Sequence, residues 1–460
     1  MARVIQAQIS GEDEEHSRDV SPAELRDASA TAVLTVYPGD AAMLDEFQRE
    51  EALIHFQRGL HLERVHRVGE AVTEYRRAIA HDPHLREAHD ALGFYYQRHG
   101  LLAKAAEEFR VVASLEGDFL SHFNLGGVLM ELGRHDQALA AFQSCLALEP
   151  NDAASHYEIS LIHFVKGEYQ AALDWLQLPL REYPEDWEVH RLIGSCQLRL
   201  SLFDEALRSF GVALRLAPRP TAQAEVIEQI HMISRYREIG EPRWAKDRLY
   251  AEHGVVYLGS AQDDGLHLDE CQDFHFTYPD IGTTLRRFIA LQADMGWRCS
   301  CVVALDHQAA PLADALAQLL DLPLQRANGI LPGELPLLVL AVGREAELLK
   351  LAVERIPGAA LIFCLAVNWL RYSQVWPDIT GVVTRGVCTV PWEPELRRLR
   401  CDGARPEQIY TCQKHAADQI IAAARDAADD SNIELQIDYY RAHSNLRFAQ
   451  IFDDVPVSIV

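Results

Sequence analysis

No two of the nine cysteines stand at Cys-x-x-Cys spacing, and the nearest pair, Cys299 and Cys301, would share one face of a strand without framing a metal. Reduced thiols are expected, and neither a disulfide scaffold nor a zinc ribbon follows from them. No uncharged apolar run approaches the roughly 20 residues of a membrane helix, so membrane insertion is not expected. A charged-then-apolar signal pattern is also missing at the N-terminus, which makes the cytoplasm the expected location. Basic residues are few: 43 Lys and Arg stand against 68 Asp and Glu, for a net charge of −25. That balance argues against a nucleic-acid partner such as duplex DNA, which needs broad phosphate neutralisation. Gly-x-Gly-x-x-Gly, Walker, His-Glu-x-x-His and Gly-x-Ser-x-Gly patterns do not occur, so no catalytic residue, cofactor or metal site is assigned.

What is present is a period. Segments starting at Ala52, Arg86, Phe119, Ala153 and Trp187 return the same residue types at the same offsets, about every 34 residues. Gly59, Gly93, Gly126 and Gly194 hold the eighth position, and Ala71, Ala105, Ala138, Ala172 and Ala206 the twentieth. Tyr75, Phe109, Phe142, Leu176 and Phe210 hold the twenty-fourth, with Pro83, Pro150, Pro184 and Pro218 at the thirty-second. Small residues at positions eight and twenty let two antiparallel helices close on one another, the large residue fills the space beside them, and proline ends the second helix. One helix pair cannot bury its apolar face alone; stacking buries it. This pattern closely resembles the tetratricopeptide repeat family, which implies a helical solenoid of five repeats over 52–220.

Residues 1–40 carry the acidic run Glu12 to Glu15 and read as a flexible acidic segment. Residues 221–239, with Val226, Ile230 and Ile233 on one stripe, read as a helix capping the solenoid, which gives a repeat domain over 41–240. A linker follows over 241–253, in which Trp244 to His253 read as a hinge or linker helix.

From 254 to 460 the period changes. Apolar β-rich runs at Val255–Leu258, Cys301–Leu305, Leu337–Val342, Leu361–Ala366 and Gly381–Thr384 alternate with helical patterns at 283–295, 312–320, 345–355 and 406–428. That alternation predicts an α/β domain with a mainly parallel sheet, and the alternation from Ile433 to Tyr440 suggests an edge strand or tail. Ligands of such sheets bind beyond the carboxyl ends of the strands. The candidate ligand residues there are Asp263 and Asp264 in an Asp-Gly turn, Thr283 and Thr284 at an expected helix start, and Asp306 with His307.

The strand, loop and helix around Asp306 to Gln308 resemble the type I phosphoribosyltransferase core. That resemblance implies two acidic residues and a Thr-Thr-Gly phosphate loop after Leu337–Val342. Gly343, Arg344 and Glu345 stand there instead, which reads as a degenerate, non-catalytic relative. A solenoid joined to an α/β half is also similar to glycosyltransferases that modify Ser and Thr with N-acetylglucosamine, but about 200 residues supply one lobe where two are needed.

His55, His89, His122, His156 and His190 share the fourth position of their repeats. They read as flat rings packed between helices with hydrogen-bonded tips, neutral when buried, or else as a proton-sensitive ladder. Equivalent positions in neighbouring repeats lie roughly 10 Å or more apart, too far for shared metal coordination.

The combined reading is an interaction scaffold or adaptor that binds a peptide or protein partner. Positions five, nine and twelve of the first helices bring Phe56, Leu60, Phe94, Phe123, Met130, Tyr157, Leu161 and Phe164 toward the concave groove, or partly into the core between repeats. The α/β domain is then non-catalytic or ligand-sensing. The alternative is a transferase acting on a phosphorylated sugar or nucleotide, recruited by the repeats, in which the six ligand residues converge in one crevice.

Overall fold

The computed structural model describes residues 38–344, 346–368, 375–427 and 432–451. The acidic segment expected over 1–40 lies, through residue 37, outside the described residues. The chain divides into two compact units between Arg219 and Pro220.

The first unit is a run of paired helices. These are α1 (Pro38–Arg64) with α2 (Val68–His81), α3 (Arg86–Arg98) with α4 (Leu102–Leu115), and α5 (Phe119–Glu131) with α6 (His135–Leu148). There follow α7 (Ala153–Val165) with α8 (Tyr169–Trp175) and α9 (Gln177–Glu182), then α10 (Trp187–Arg199) with α11 (Phe203–Leu216). The repeat offsets do the packing that their sizes imply. A Cβ placed on Gly59, Gly93, Gly126 or Gly194 would lie 2.4–2.8 Å from ring carbons of Tyr75, Phe109, Phe142 or Phe210 respectively. The five alanines at position twenty and the five large residues at position twenty-four are at most 1% exposed. In the fourth repeat both halves of the contact change together, to Ser160 and Leu176: a larger residue meets a smaller neighbour.

Two local features escape the repeat pattern as read from sequence. Position fifteen, in the turn between the helices of each pair, takes a left-handed backbone in all five repeats: Gly100, Gly133 and Gly167 at φ 68°, 70° and 79°, but His66 and Ser201 at φ 60°. The second helix of repeat four breaks at Leu176, between α8 and α9. Pro179 causes this, because it has no N–H for the Trp175 carbonyl and its ring crowds that oxygen.

The second unit begins with α12 (Pro220–Ile239) and α13 (Ala245–His253). The helix read as the repeats' cap is thus grouped with the second unit. Its fully buried Arg235 donates to the carbonyls of Ala251 and Glu252 and to the Glu228 carboxylate at 2.6 Å. The segment 241–253, read as a hinge or linker helix, carries α13, with Ala245, Lys246, Leu249, Tyr250 and Ala251 all buried.

Then come β1 (Val256–Tyr257), β2 (Phe274–His275), α14 (Tyr278–Met295), β3 (Cys301–Ala304), α15 (Ala310–Leu319), β4 (Leu324–Gln325) and β5 (Pro336–Gly343). The chain continues through α16 (Ala346–Glu354), β6 (Leu361–Asn368), β7 (Ile379–Thr384), β8 (Cys388–Thr389), α17 (Glu393–Cys401), α18 (Pro406–Asp426) and α19 (Ile433–Ala442). Six strands form one parallel sheet in the order β1-β7-β6-β5-β3-β4, as the unbroken apolar runs require of a sheet covered on both faces. One face packs on Ile281, Leu285 and Phe288 of α14, Leu312 and Leu316 of α15, and Ala417 and Ile420 of α18. On the other, α13 contributes Ala245 and Leu249, and α16 contributes Leu349. The edge strand or tail expected over 433–440 is instead α19, whose Gln436, Ile437 and Tyr440 are buried.

The left-handed turn yields a direct prediction. A non-glycine residue in that conformation costs roughly 1–2 kcal/mol, and both His66 and Ser201 are exposed. Ser201→Gly and His66→Gly should each raise stability by about 1 kcal/mol in urea unfolding, and Gly100→Ala should lower it by a similar amount.

Candidate functional site

The eight residues expected to line the groove are all half-buried. Phe56, Phe94 and Phe123 lean on the position-twenty-four rings Tyr75, Phe109 and Phe142, with centroids 5.7, 5.0 and 5.4 Å apart. Phe164 lies edge-on to Tyr169 at 5.6 Å. Leu60 and Met130 pack on the core of repeats one to three, and Tyr157 and Leu161 on the core around Leu176 and Leu192. Each side chain is thus partly packed on the core and partly accessible.

The ladder histidines do not share one environment. His55 and His89 face the carboxylates of Glu74 and Glu108 at 2.6 and 2.7 Å, each supplied from position twenty-three. At that position repeat four has Trp175, and His156 packs against its ring with centroids 5.1 Å apart. His89 and His190 also meet the Pro83 and Pro184 carbonyls at 3.1 and 2.9 Å. Burial alone would depress His89, but hydrogen bonds to Glu108 and the Pro83 carbonyl, with the Glu108 and Asp90 charges, outweigh it and raise its pKa above 6.5. The neutral buried ring expected from the sequence is thus corrected at His89: the carboxylate opposite it was the missing piece.

In the second unit the six candidate ligand residues do not converge. Asp263 accepts from Ser260 N–H and hydroxyl at 2.8 and 3.1 Å, from Gly265 N–H at 2.9 Å and from Arg287 at 2.9 Å. Arg287, 3% exposed, also donates to the carbonyls of Leu258, Ser260 and Asp263. Asp264 caps Leu266 and His267 and pairs with the His267 ring at 2.7 Å; burial pushes its pKa upward, but these bonds hold it at about 2. Lys246, fully buried, donates to the Gly265 carbonyl at 2.5 Å and lies 4.7 and 4.6 Å from the rings of Tyr439 and Tyr440. Burial, with Arg287 beside it, pushes its pKa down to about 7. This loop is locked by its own hydrogen bonds.

The helix start expected at Thr283 and Thr284 is also corrected. Helix α14 begins a turn and a half earlier, where Thr277 and Asp280 cap each other, so the Gly282 to Thr284 amides lie inside the helix. Thr284 is buried and donates to the Gly259 carbonyl at 2.7 Å. Asp306 accepts from the Ala309 N–H at 2.7 Å at the start of α15. Four strand spacings separate β1 from β3, roughly 19 Å, so the Asp263 loop and the Asp306–His307 loop belong to different regions.

The strand order points elsewhere. After β3 the chain goes to β4 on one side and then returns to β5 on the other, and in doubly wound sheets the ligand crevice lies at such a reversal. At the carboxyl ends of β3 and β5 a pocket of ≈ 180 Å³ is lined by His307, Gln308, Glu393, Leu396, Arg397, Arg400 and Cys401. Arg344, from the end of β5, donates to Gln308 at 2.9 Å and to both oxygens of Glu393 at 3.1 Å. Arg397 pairs with the same carboxylate at 2.8 Å, and that carboxylate is 5% exposed. One buried acid thus sits among Arg344, Arg397, Arg400 and His307, a cationic locale in an acidic protein. Of these only His307 was singled out from sequence as a ligand residue; the local run Arg397, Arg398, Arg400 was the available signal.

Residues 123–179 match the family model described as tetratricopeptide repeat. The helical unit thus contains a region similar to tetratricopeptide repeats. Relatives include the TPR repeat-containing protein MJ1428 of Methanocaldococcus jannaschii, 25% identical over 124 residues, covering 27% of this chain and 22% of that protein. Another is human tetratricopeptide repeat protein 33, 31% identical over 93 residues, covering 20% of this chain and 36% of that one. The chain therefore spans well under half the length of these curated relatives. Among solved structures, the crystal structure of MamA covers 36% of this chain and 92% of its own, with 23% identity and a TM-score of 0.35. YrrB, titled a TPR protein with an unusual peptide-binding site, covers 42% and 98%, with 18% identity and a TM-score of 0.36.

The raised pKa of His89 fixes the sign of a pH effect in the repeats. The folded state binds the proton more tightly than the unfolded chain, so His89 contributes fully below about 6.5 and loses that contribution as pH rises through its higher folded value. The stability difference between wild type and His89→Gln should be largest near about pH 5.5 and shrink toward about pH 8.5. Thermal melts across that range measure it.

Proposed function

We propose that the tetratricopeptide repeats act as a protein-interaction scaffold whose concave groove takes an amphipathic helix or extended apolar peptide. The observation that carries this reading is the set of eight half-buried apolar side chains on the first helices of the repeats. Aromatic and aliphatic anchors that are rigidly backed on one side and accessible on the other suit helix-in-groove recognition. The second unit is proposed to be a non-catalytic, ligand-sensing α/β module, a degenerate relative of the type I phosphoribosyltransferase core. In support, the carboxylates of Asp263 and Asp264 are taken up by their own loop, and the residue after β5 is Arg344, engaged with Glu393. The ≈ 180 Å³ pocket at the strand reversal is below the roughly 300 Å³ at which sites for larger ligands begin. It suits a small anion rather than a nucleotide, which weighs against the transferase alternative.

Two measurements test the two halves. Partners captured by the full chain should lose at least roughly 10-fold in affinity to a Leu60→Ser, Leu161→Ser variant whose circular dichroism is unchanged. Retention of every partner by that variant would remove the groove from the account. Calorimetry with phosphoribosyl diphosphate and magnesium should show no binding tighter than about 1 mM; micromolar binding would restore the enzyme reading.

A further inference from the structure

Among the described residues, three side chains of the first helix pair bring metal-ligating atoms within 4.8 Å of one another: Glu51 and His55 of α1, and His81, the last residue of α2. All three are half-buried. Glu51 and His55 are one helical turn apart and share a face of α1. The rings of His55 and His81 stack with centroids 5.2 Å apart and planes 13° apart. Nδ1 of His55 lies 2.6 Å from the Glu74 carboxylate, which can only accept, so in the neutral ring Nε2 is the nitrogen that offers a lone pair. Glu74 is steadied in turn by Arg77 at 2.6 Å. A carboxylate behind a histidine is the usual support for a metal-ligating imidazole.

The other repeats serve as internal controls. Each has a ladder histidine at position four, but the residues equivalent to His81 are Leu115, Leu148, Glu182 and Leu216. Only the first repeat pairs its ladder histidine with a second imidazole. The distance argument that rules out coordination between repeats does not reach this case, because all three side chains belong to one helix pair.

We propose that Glu51, His55 and His81 form a divalent transition-metal site, with zinc the best-matched ion. Two imidazoles and one carboxylate are borderline donors that suit zinc and not magnesium or calcium, which prefer oxygen alone. Zinc–ligand bonds of about 2.0–2.2 Å place tetrahedral donors roughly 3.3 Å apart. The three atoms therefore need to close by up to about 1.5 Å, through rotation of the Glu51 side chain and of His81 at its helix end. Three protein ligands leave a fourth position for water. The ion would tie α1 to the far end of α2 in the first of the five repeats.

The test is calorimetric titration of zinc into the chelator-stripped full chain, with melting temperature followed in parallel. One zinc should bind with a Kd on the order of 1 µM or tighter and raise the melting temperature. His81→Leu, Glu51→Gln and His55→Gln should each weaken binding by at least roughly 10-fold, and His122→Gln, which changes a ladder histidine without companions, should not. His81→Leu introduces the residue that three other repeats carry there and keeps the test clear of misfolding. Absence of binding tighter than about 100 µM, or zinc affinity unchanged in His81→Leu, would overturn the site.

Discussion

In four of the five repeats a glycine on the first helix of a pair lies against a ring on the second, and the closing of the helix pair depends on that contact. With 2.4–2.8 Å between a notional Cβ and the ring carbons, no side chain larger than hydrogen fits beside Tyr75, Phe109, Phe142 or Phe210. The rings are at most 1% exposed, and they form the platform on which Phe56, Phe94 and Phe123 lean. Phe56, Phe94 and Phe123 are thereby backed on one side by buried rings.

The second unit follows a different principle. Its loops are held by buried cations: Arg235 fastens α12 to α13, Arg287 closes the loop after β1, and Lys246 holds that loop from the opposite side with two tyrosine rings. These groups engage carbonyls of the loops they hold, and Arg287 also the Asp263 carboxylate. An opening lies at the β3 and β5 ends, where arginines surround Glu393.

The legible parts of the fold are those set by recurrence and by long apolar runs. The repeat offsets and the strands β3, β5, β6 and β7 were readable because each depends on local pattern alone. Position fifteen was overlooked because two of its five residues are His66 and Ser201, so the backbone requirement is not mirrored in composition. α13 was read as a hinge or linker helix, and its polar composition did not reveal that Lys246 and Tyr250 are buried in it. The α19 segment was read as an edge strand or tail because its aromatics alternate with polar residues, yet two of them lie over Lys246. The six candidate ligand residues divided into separate groups because strand order, which sets what lies beside what, is a tertiary property. Glu393, Arg397 and Arg400 come from a helix distant in sequence from β3 and β5, and they could be recognised as neighbours only in three dimensions.

The central claim is that position eight and position twenty-four are one coupled contact, as the joint change to Ser160 and Leu176 in repeat four suggests. A double-mutant cycle in repeat three measures it. Gly126→Ser alone should destabilise by about 1–3 kcal/mol through overpacking. Combined with Phe142→Leu, it should cost less than the sum of the two single changes, with a coupling energy of roughly 0.5–3 kcal/mol in urea unfolding. Simple additivity of the two substitutions would contradict the account.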